Sequence, residues 1–521
     1  MFGSRGVDSF VSATQSIKRR VFLQQCVGVS LSGLLATQAA AEPEAGSRLA
    51  FSVSIDPAVA KEPLAGRLYV FLSRSKQPEP RFGPNWFGPE PFCGGDVRDF
   101  SPAMPREVDD RADSFPAPLS KLPPGIYQVQ ALLDVNLDTQ NHAYGPGNLY
   151  SDVVELDWRA PRPQTLELRL THVVQAREFA ETDWRREIRL ESELLSKFHR
   201  RQVIEAAAVV LPASYAEDKE RRYPVMYIIP GFGGSHRDAL GLPAPPTPGA
   251  GEAEFIRVYL SGNCKWGHHV YADSATNGPR AQALVSELIP YIDANFRTVF
   301  SSTARFVTGH SSGGWSSLWL QVSYPDVFGG VWSYAPDPVD FRDWQQVDLY
   351  AEEPLSLYRD AQNARRPIAR QGTQPVLWYD AFAQMDDVLG RGGQLRSFEA
   401  VFSPLGGDAQ PCKMWDRQTG KVDPEIARAW QKYDIRLKLE REWPQLADKL
   451  RGKLHVVAGG LDTFYLEGAV ARLAETLKQL GSDAEVSVLP GKDHGGVLST
   501  ETLTRGRQQM SEIFRRAQAA Q

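Results

Sequence analysis

The chain has 521 residues, with 58 Lys and Arg against 63 Asp and Glu and a formal charge of -5. That length suits two domains with a large buried core. Mixed charge without repeats, low-complexity tracts or a basic stripe excludes a disordered or fibrous protein and gives nucleic acid no electrostatic hold.

The first forty residues have the three-part shape of an export signal. A basic pair, Arg19-Arg20, precedes Val21-Phe22-Leu23-Gln24 and an apolar run too short to span a bilayer. The pair with its following residues resembles a twin-arginine signal. Ala39-Ala40-Ala41 supplies a small-residue cleavage site, so processing near Glu42 and a periplasmic or secreted product are expected. The twin-arginine export machinery is then a partner. No lipobox precedes Cys26, so no membrane anchor is expected after processing. Met1 to Ala41 carries Arg5, Lys18, Arg19 and Arg20 against Asp8, a net +3, so the -5 of the whole becomes -8 for the remainder. Cys93, Cys264 and Cys412 lie beyond this segment at wide spacings; one disulfide fits an oxidising compartment, with no pair singled out.

Residues 42–185 read as β-structure. Leu49, Phe51, Val53 and Ile55 alternate in one run, Tyr127, Val129, Ala131 and Leu133 in another, and Leu166, Leu168 and Leu170 in a third. Alternation broken by long Pro- and Gly-rich turns such as RFGPNWFGPEPFCGG predicts an Ig-like β-sandwich. Asp134, Asn136 and Asp138 have calcium-loop spacing, but the turn glycine such a loop needs is missing, so a hairpin turn is expected there.

From residue 186 to 521 the grammar changes to short apolar strands alternating with amphipathic helices. RQVIEAAAVVLP, PVMYIIPGFGG, EFIRVYLSG, ARFVTGH, GGVWSYAPD, LHVVAGGLD and AEVSVLPG read as strands. GPRAQALVSELIPYIDANF reads as a helix opened by Pro279, with Leu284, Leu288, Ile289, Ile292 and Phe296 on one stripe. This is the pattern of an α/β fold with a doubly wound sheet, whose ligand sites lie beyond the carboxyl ends of the strands.

The turn after ARFVT is Gly309-His310-Ser311-Ser312-Gly313, a G-x-S-x-G between strand and helix. In that context it is the nucleophile elbow of an α/β-hydrolase. The plain structural alternative is a glycine-rich turn with a serine capping the helix. The turn is too sharp for bulk two residues either side of the nucleophile. Centring on Ser311 places Gly309 and Gly313 there, whereas centring on Ser312 would place His310 in the crowded position. Ser311 is the candidate nucleophile, and Ser312 then offers its N–H to an oxyanion hole. The fold also demands an acid and then a histidine after later strands. Asp462 follows LHVVAGG and His494 follows AEVSVLPG. A serine hydroxyl needs an imidazole base, and the imidazole needs a carboxylate to hold its tautomer. Asp462 alone would also serve as a helix N-cap, and neighbouring Asp493 reads as a solvated loop charge. The glycine turn after the early strand, Gly231-Phe232-Gly233-Gly234, offers a second oxyanion donor in the N–H of Phe232 or Gly233. His268-His269 and the aromatics Trp266, Tyr271 and Trp315 are candidates for the pocket wall, with core packing the plainer role for Trp315.

The region from about Glu191 onward resembles the esterases related to enterochelin esterases and to feruloyl and acetylxylan esterases. The resemblance rests on SKFHRRQVIEAAAVVLPASYAEDKERRYPVMYIIPGFGG, FVTGHSSGGWSSLWLQVSYPDVFGGVWSYAPD, AGGLDTFYL and LPGKDHGG. It implies a serine carboxylic-ester hydrolase working through an acyl-enzyme, without metal or cofactor, on a small-molecule or glycan-linked ester. Mycolyltransferases resemble the same family, so acyl transfer on this scaffold is an alternative, as is a non-catalytic binding protein. One departure stands out. About 110 residues separate SYAPD from GKLHVVAGG, far beyond an ordinary connection. This insertion, at about 337–450, is expected to form a lid or side wall.

Overall fold

The computed structural model describes residues 48–249 and 251–519. The expected export signal lies outside the described residues.

The C-terminal domain is built on one eight-stranded sheet. Its strands are β1 (Arg185–Glu191), β2 (Ile204–Val210), β3 (Val225–Ile229), β4 (Ile256–Leu260), β5 (Arg305–His310), β6 (Gly330–Tyr334), β7 (Leu454–Gly459) and β8 (Glu485–Leu489). Their spatial order is β1-β2-β4-β3-β5-β6-β7-β8. β2 runs antiparallel to both β1 and β4, and every other pair is parallel. Strands covered on both faces must be apolar throughout, and β6 (GVWSY) is buried at every residue. Strand order reverses between β3 and β5, so the chain leaves these two neighbours in opposite directions and opens a crevice at their carboxyl ends. Ile229 at the end of β3 is level with Gly309 near the end of β5.

Six helices matter for the site and its support: α1 (Ser312–Ser323), α2 (Tyr379–Leu389), α3 (Gln394–Phe402), α4 (Ile435–Leu450), α5 (Glu467–Gln479) and α6 (Thr500–Ala519). The helix expected after Pro279 forms over 280–295 with a wider π turn at Leu284–Leu288. The turn ends just before Pro290, whose ring nitrogen has no hydrogen to donate to the preceding turn.

The long segment between β6 and β7 folds around its own aromatic core of Phe341, Trp344, Phe398, Phe402 and Trp430. Its final helix, α4, packs against α1 and serves as the crossover helix that returns the chain to the sheet. The material extra to the sheet therefore ends near residue 434.

The N-terminal strands hydrogen-bond into one nine-stranded sheet rather than two separate ones. Its path runs through 106–108, 49–55, 164–173, 149–151, 126–134, 64–73, 92–100 and 113–115, with 154–157 also pairing 126–134. The pair 49–55 and 164–173 is parallel. The sheet encloses a core of Phe51, Val53, Val70, Val129, Leu133, Trp158 and Leu168, as a sandwich does. The opposite face of the same strands, Tyr69, Phe71, Phe92 and Leu132, joins the core of the second domain. The 134–138 segment is a turn in which Asn136 accepts from Asp138 N–H and Thr139 N–H, while Asp134 lies buried beside Arg391.

Candidate active site

Ser311 sits at the tip of the turn between β5 and α1 with φ 61° and ψ -126°. A non-glycine residue in this conformation is strained, and strain of this kind persists where the surroundings fix it. The glycines on either side explain the fixing. A Cβ on Gly309 would lie 2.1 Å from Gly313 O, and one on Gly313 would lie 2.1 Å from Ile229 O on β3. Neither position admits a side chain.

The two serines differ sharply. Ser312 has no exposed surface, and its hydroxyl donates to Asp337 Oδ2 at 2.5 Å. Gln394 Nε2, from α3, donates to the same hydroxyl at 3.3 Å. Ser311 remains partly exposed at the crevice. Asp337 follows β6 and is buried, and burial pushes its carboxyl up to about 6 against the opposing pull of the Ser312 hydroxyl, the His494 ring and the Ser311 hydroxyl.

His494 and Asp462 are brought together as the elbow reading requires. His494 Nδ1 lies 2.8 Å from Asp462 Oδ2, with Asp462 fully buried. The other carboxylate oxygen of Asp462 accepts from Phe464 N–H at 2.8 Å. The acid and base turns are tied to each other, since Gly460 N–H donates to Leu489 O at 2.7 Å and Leu461 N–H to Lys492 O at 2.9 Å. Arg370, from the insertion's hairpin, donates to Asp462 O at 2.9 Å. On the other side, His310 Nε2 donates to His494 O at 2.7 Å, and the two rings are 4.5 Å apart. This places His494 beside the elbow. No hydrogen bond joins Ser311 to His494 here; the Ser311 hydroxyl faces Asp337. Unliganded hydrolase geometry often leaves that contact open until substrate binds. Asp493 is exposed and caps the next turn by accepting from Gly496 N–H.

The glycine turn after β3 borders Ser311. A Cβ on Gly231 would lie 3.9 Å from Ser311 Oγ. The N–H of Gly233 is already engaged: the Gln140 side-chain amide, with its oxygen toward the donor, accepts from it at 2.8 Å and donates to Gly267 O at 3.2 Å. Of the two donors considered from sequence, Phe232 N–H is therefore the one open to a ligand. His268 secures the start of this turn. Its Nε2 donates to Pro230 O at 3.0 Å and its Nδ1 accepts from Val270 N–H at 3.0 Å, a fully satisfied neutral ring. Burial pushes its pKa down to about 4.

Tyr271 and Trp315 prove to be core residues, fully buried in the main cluster. Half-buried Trp266 flanks the Gly267 turn. The candidate turns instead carry Phe232 and Phe464, and Trp86 from the N-terminal domain sets its ring against both. Sequence reasoning missed Trp86, Gln140 and Asp337. Asp337 was within reach, because it follows a strand end of the same sheet; the other two carry no local signal.

Residues 205–495, more than half the chain, match the model of the Esterase family. An esterase of Mycobacterium tuberculosis, found in strains CDC 1551 / Oshkosh and H37Rv, is 25% identical over 235 residues, covering 38% of this chain and 49% of the relative. The chain thus spans about half the length of the curated relatives it matches. Among solved structures, a ferulic acid esterase aligns with TM-score 0.40 at 15% identity, covering 63% of this chain and 98% of its own. An S-formylglutathione hydrolase from Agrobacterium tumefaciens aligns with TM-score 0.36 at 16% identity, covering 63% of this chain and 95% of its own. A strained serine between two obligate glycines, a buried His–Asp pair beside it and the family match converge: the chain belongs to the Esterase family.

Proposed function

We propose that this chain is a serine carboxylic-ester hydrolase. Ser311 attacks the ester carbonyl, His494 takes its proton and returns it to the leaving alcohol, and Asp462 holds His494 with Nδ1–H toward the carboxylate. The tetrahedral oxyanion is received by the N–H groups of Ser312 and Phe232. Water then attacks the acyl-enzyme with His494 again as base. The observation that carries this reading is the 2.8 Å bond between buried Asp462 and His494, set beside a serine at φ 61°.

Labelling with a fluorophosphonate probe tests it. Wild type and Ser312→Ala are expected to label, and Ser311→Ala is not. Turnover of a simple ester should fall by about 1000-fold or more in Ser311→Ala and His494→Ala, since the triad acts as a unit. Labelling of a folded Ser311→Ala protein would move the nucleophile elsewhere. Export through the twin-arginine route belongs to the same proposal, supported by Arg19-Arg20 and Ala39-Ala41. Replacing both arginines with Lys should retain the unprocessed chain in the cytoplasm on fractionation.

A further inference from the structure

The N-terminal domain reaches the ester site at two points. Its loop between strands 64–73 and 92–100 carries Trp86, whose ring lies 5.6 Å from Phe232 and 6.4 Å from Phe464. Phe232 belongs to the turn that receives the oxyanion in the proposed mechanism. Phe464 is two residues past Asp462 and sets its ring edge-on to His494 at 5.0 Å. Trp86 thus links the oxyanion side of the crevice to the base side. Phe382 of α2 backs it edge-on at 5.0 Å and is buried. The three front rings are only half buried. The second point is Gln140, whose amide spans Gly233 N–H and Gly267 O. Gly233 has φ +83°, a conformation free to flip in glycine unless something holds it.

Partly exposed rings beside a nucleophile form the apolar wall of a ligand site, and rings prefer offset or edge-on contact with another ring. We infer that the N-terminal domain is part of the ester site: Trp86, with Phe232 and Phe464, receives a planar aromatic group of the ester, and Gln140 positions the turn that carries the oxyanion donor. This rests on the hydrolase reading above.

A matched pair of esters provides the test, methyl propanoate and methyl 3-phenylpropanoate, which share carbonyl and leaving group and differ by one ring. Wild type is expected to favour the phenyl ester by roughly tenfold or more in kcat/KM, the scale of one good ring contact. Trp86→Ala should erase most of that preference, chiefly through KM, while Ser311 still labels with fluorophosphonate; Trp86→Phe should restore part of it. Gln140→Leu should lower kcat on both esters alike, and Gln140→Glu, which keeps an acceptor for Gly233 N–H, should recover much of the loss. Absence of a wild-type preference, equal losses on both esters in Trp86→Ala, or an unaltered kcat in Gln140→Leu would overturn the inference. A folded wild type that neither labels nor turns over either ester would instead sink the hydrolase reading itself.

Discussion

Asp337 is buried between the two serines of the elbow, accepting from Ser312 and facing Ser311, with His494 and Asp462 as the ionisable groups nearest to it. Its carboxyl stands at about 6 against an ordinary 3.8, because burial outweighs the donors around it. A carboxyl raised on folding binds its proton more tightly in the folded state. Its contribution is complete below the unfolded value and is lost as pH rises through about 6. About two pKa units correspond to about 3 kcal/mol. Urea unfolding of wild type and Asp337→Asn from pH 4 to 7 should show wild-type stability falling relative to the variant by up to that amount. A parallel pair of pH curves would mean that Asp337 is ionised throughout. Ser311, Asp462 and His494 were legible as candidates because each stands on a sharp turn just after a strand, where small residues and chain order narrow the choice. Trp86 and Gln140 were not legible. They act at a site whose other residues lie at least 90 positions away, and neither has a neighbour in sequence that betrays it.

The elbow as an element is held by backbone contact. The hydrogens of Gly309 and Gly313 face carbonyl oxygens of the elbow and of β3, where an added methyl meets backbone at 2.1 Å in each case. Backbone cannot swing aside as a long side chain can, so relief requires β3, β5 and α1 to part. Gly309→Ala and Gly313→Ala are each expected to cost about 1–3 kcal/mol or more and to lower turnover as the Ser311 turn opens. Gly407→Ala, at a position with nothing within 4 Å of its added methyl, is the control and should leave the melting temperature in place. Thermal melts of the three variants check this; an unchanged Gly309→Ala would show that the turn has room the structure does not display. At this scale most strands could be read from sequence. Two-sided burial writes continuous apolar runs such as VMYII, and one-sided burial writes alternation such as LAFSVSI. The segment from 337 to 434 could not be read in the same way. Its core of Trp and Phe side chains is assembled from short helices and turns whose order in sequence carries no single period. The wider turn before Pro290 was hidden too, since periodicity reports which face is buried and not how each turn is wound.

At the scale of the molecule, the two domains share a core. The N-terminal strand 64–73 buries Val70 toward its own sheet interior and Tyr69 toward the other domain. Tyr69 donates to Leu389 O at 2.7 Å, and Arg67, almost fully buried, donates to Val388 O at 2.8 Å while pairing with Asp113 at 2.7 Å. Gln384 on α2 reaches back to Ser114 O and Pro116 O. Helix α2 is thus clamped by the N-terminal sheet on one side and supports Trp86 through Phe382 on the other. Inter-domain contacts of this kind, apolar at the centre with buried donors satisfied across the seam, couple unfolding of one part to the other. Tyr69→Phe removes one of two donors to Leu389 O, which still accepts from Arg391 N–H at 2.8 Å, at a cost of about 0.5–1.5 kcal/mol. Calorimetry of the chain should therefore show one transition, and Tyr69→Phe should shift it as a whole, with ester hydrolysis lost over the same temperature range. Two resolved transitions, with Tyr69→Phe moving only the first and leaving hydrolysis intact beyond it, would show that the domains melt separately. In that event the N-terminal sheet could not be what holds the oxyanion turn and the aromatic wall in place at working temperature.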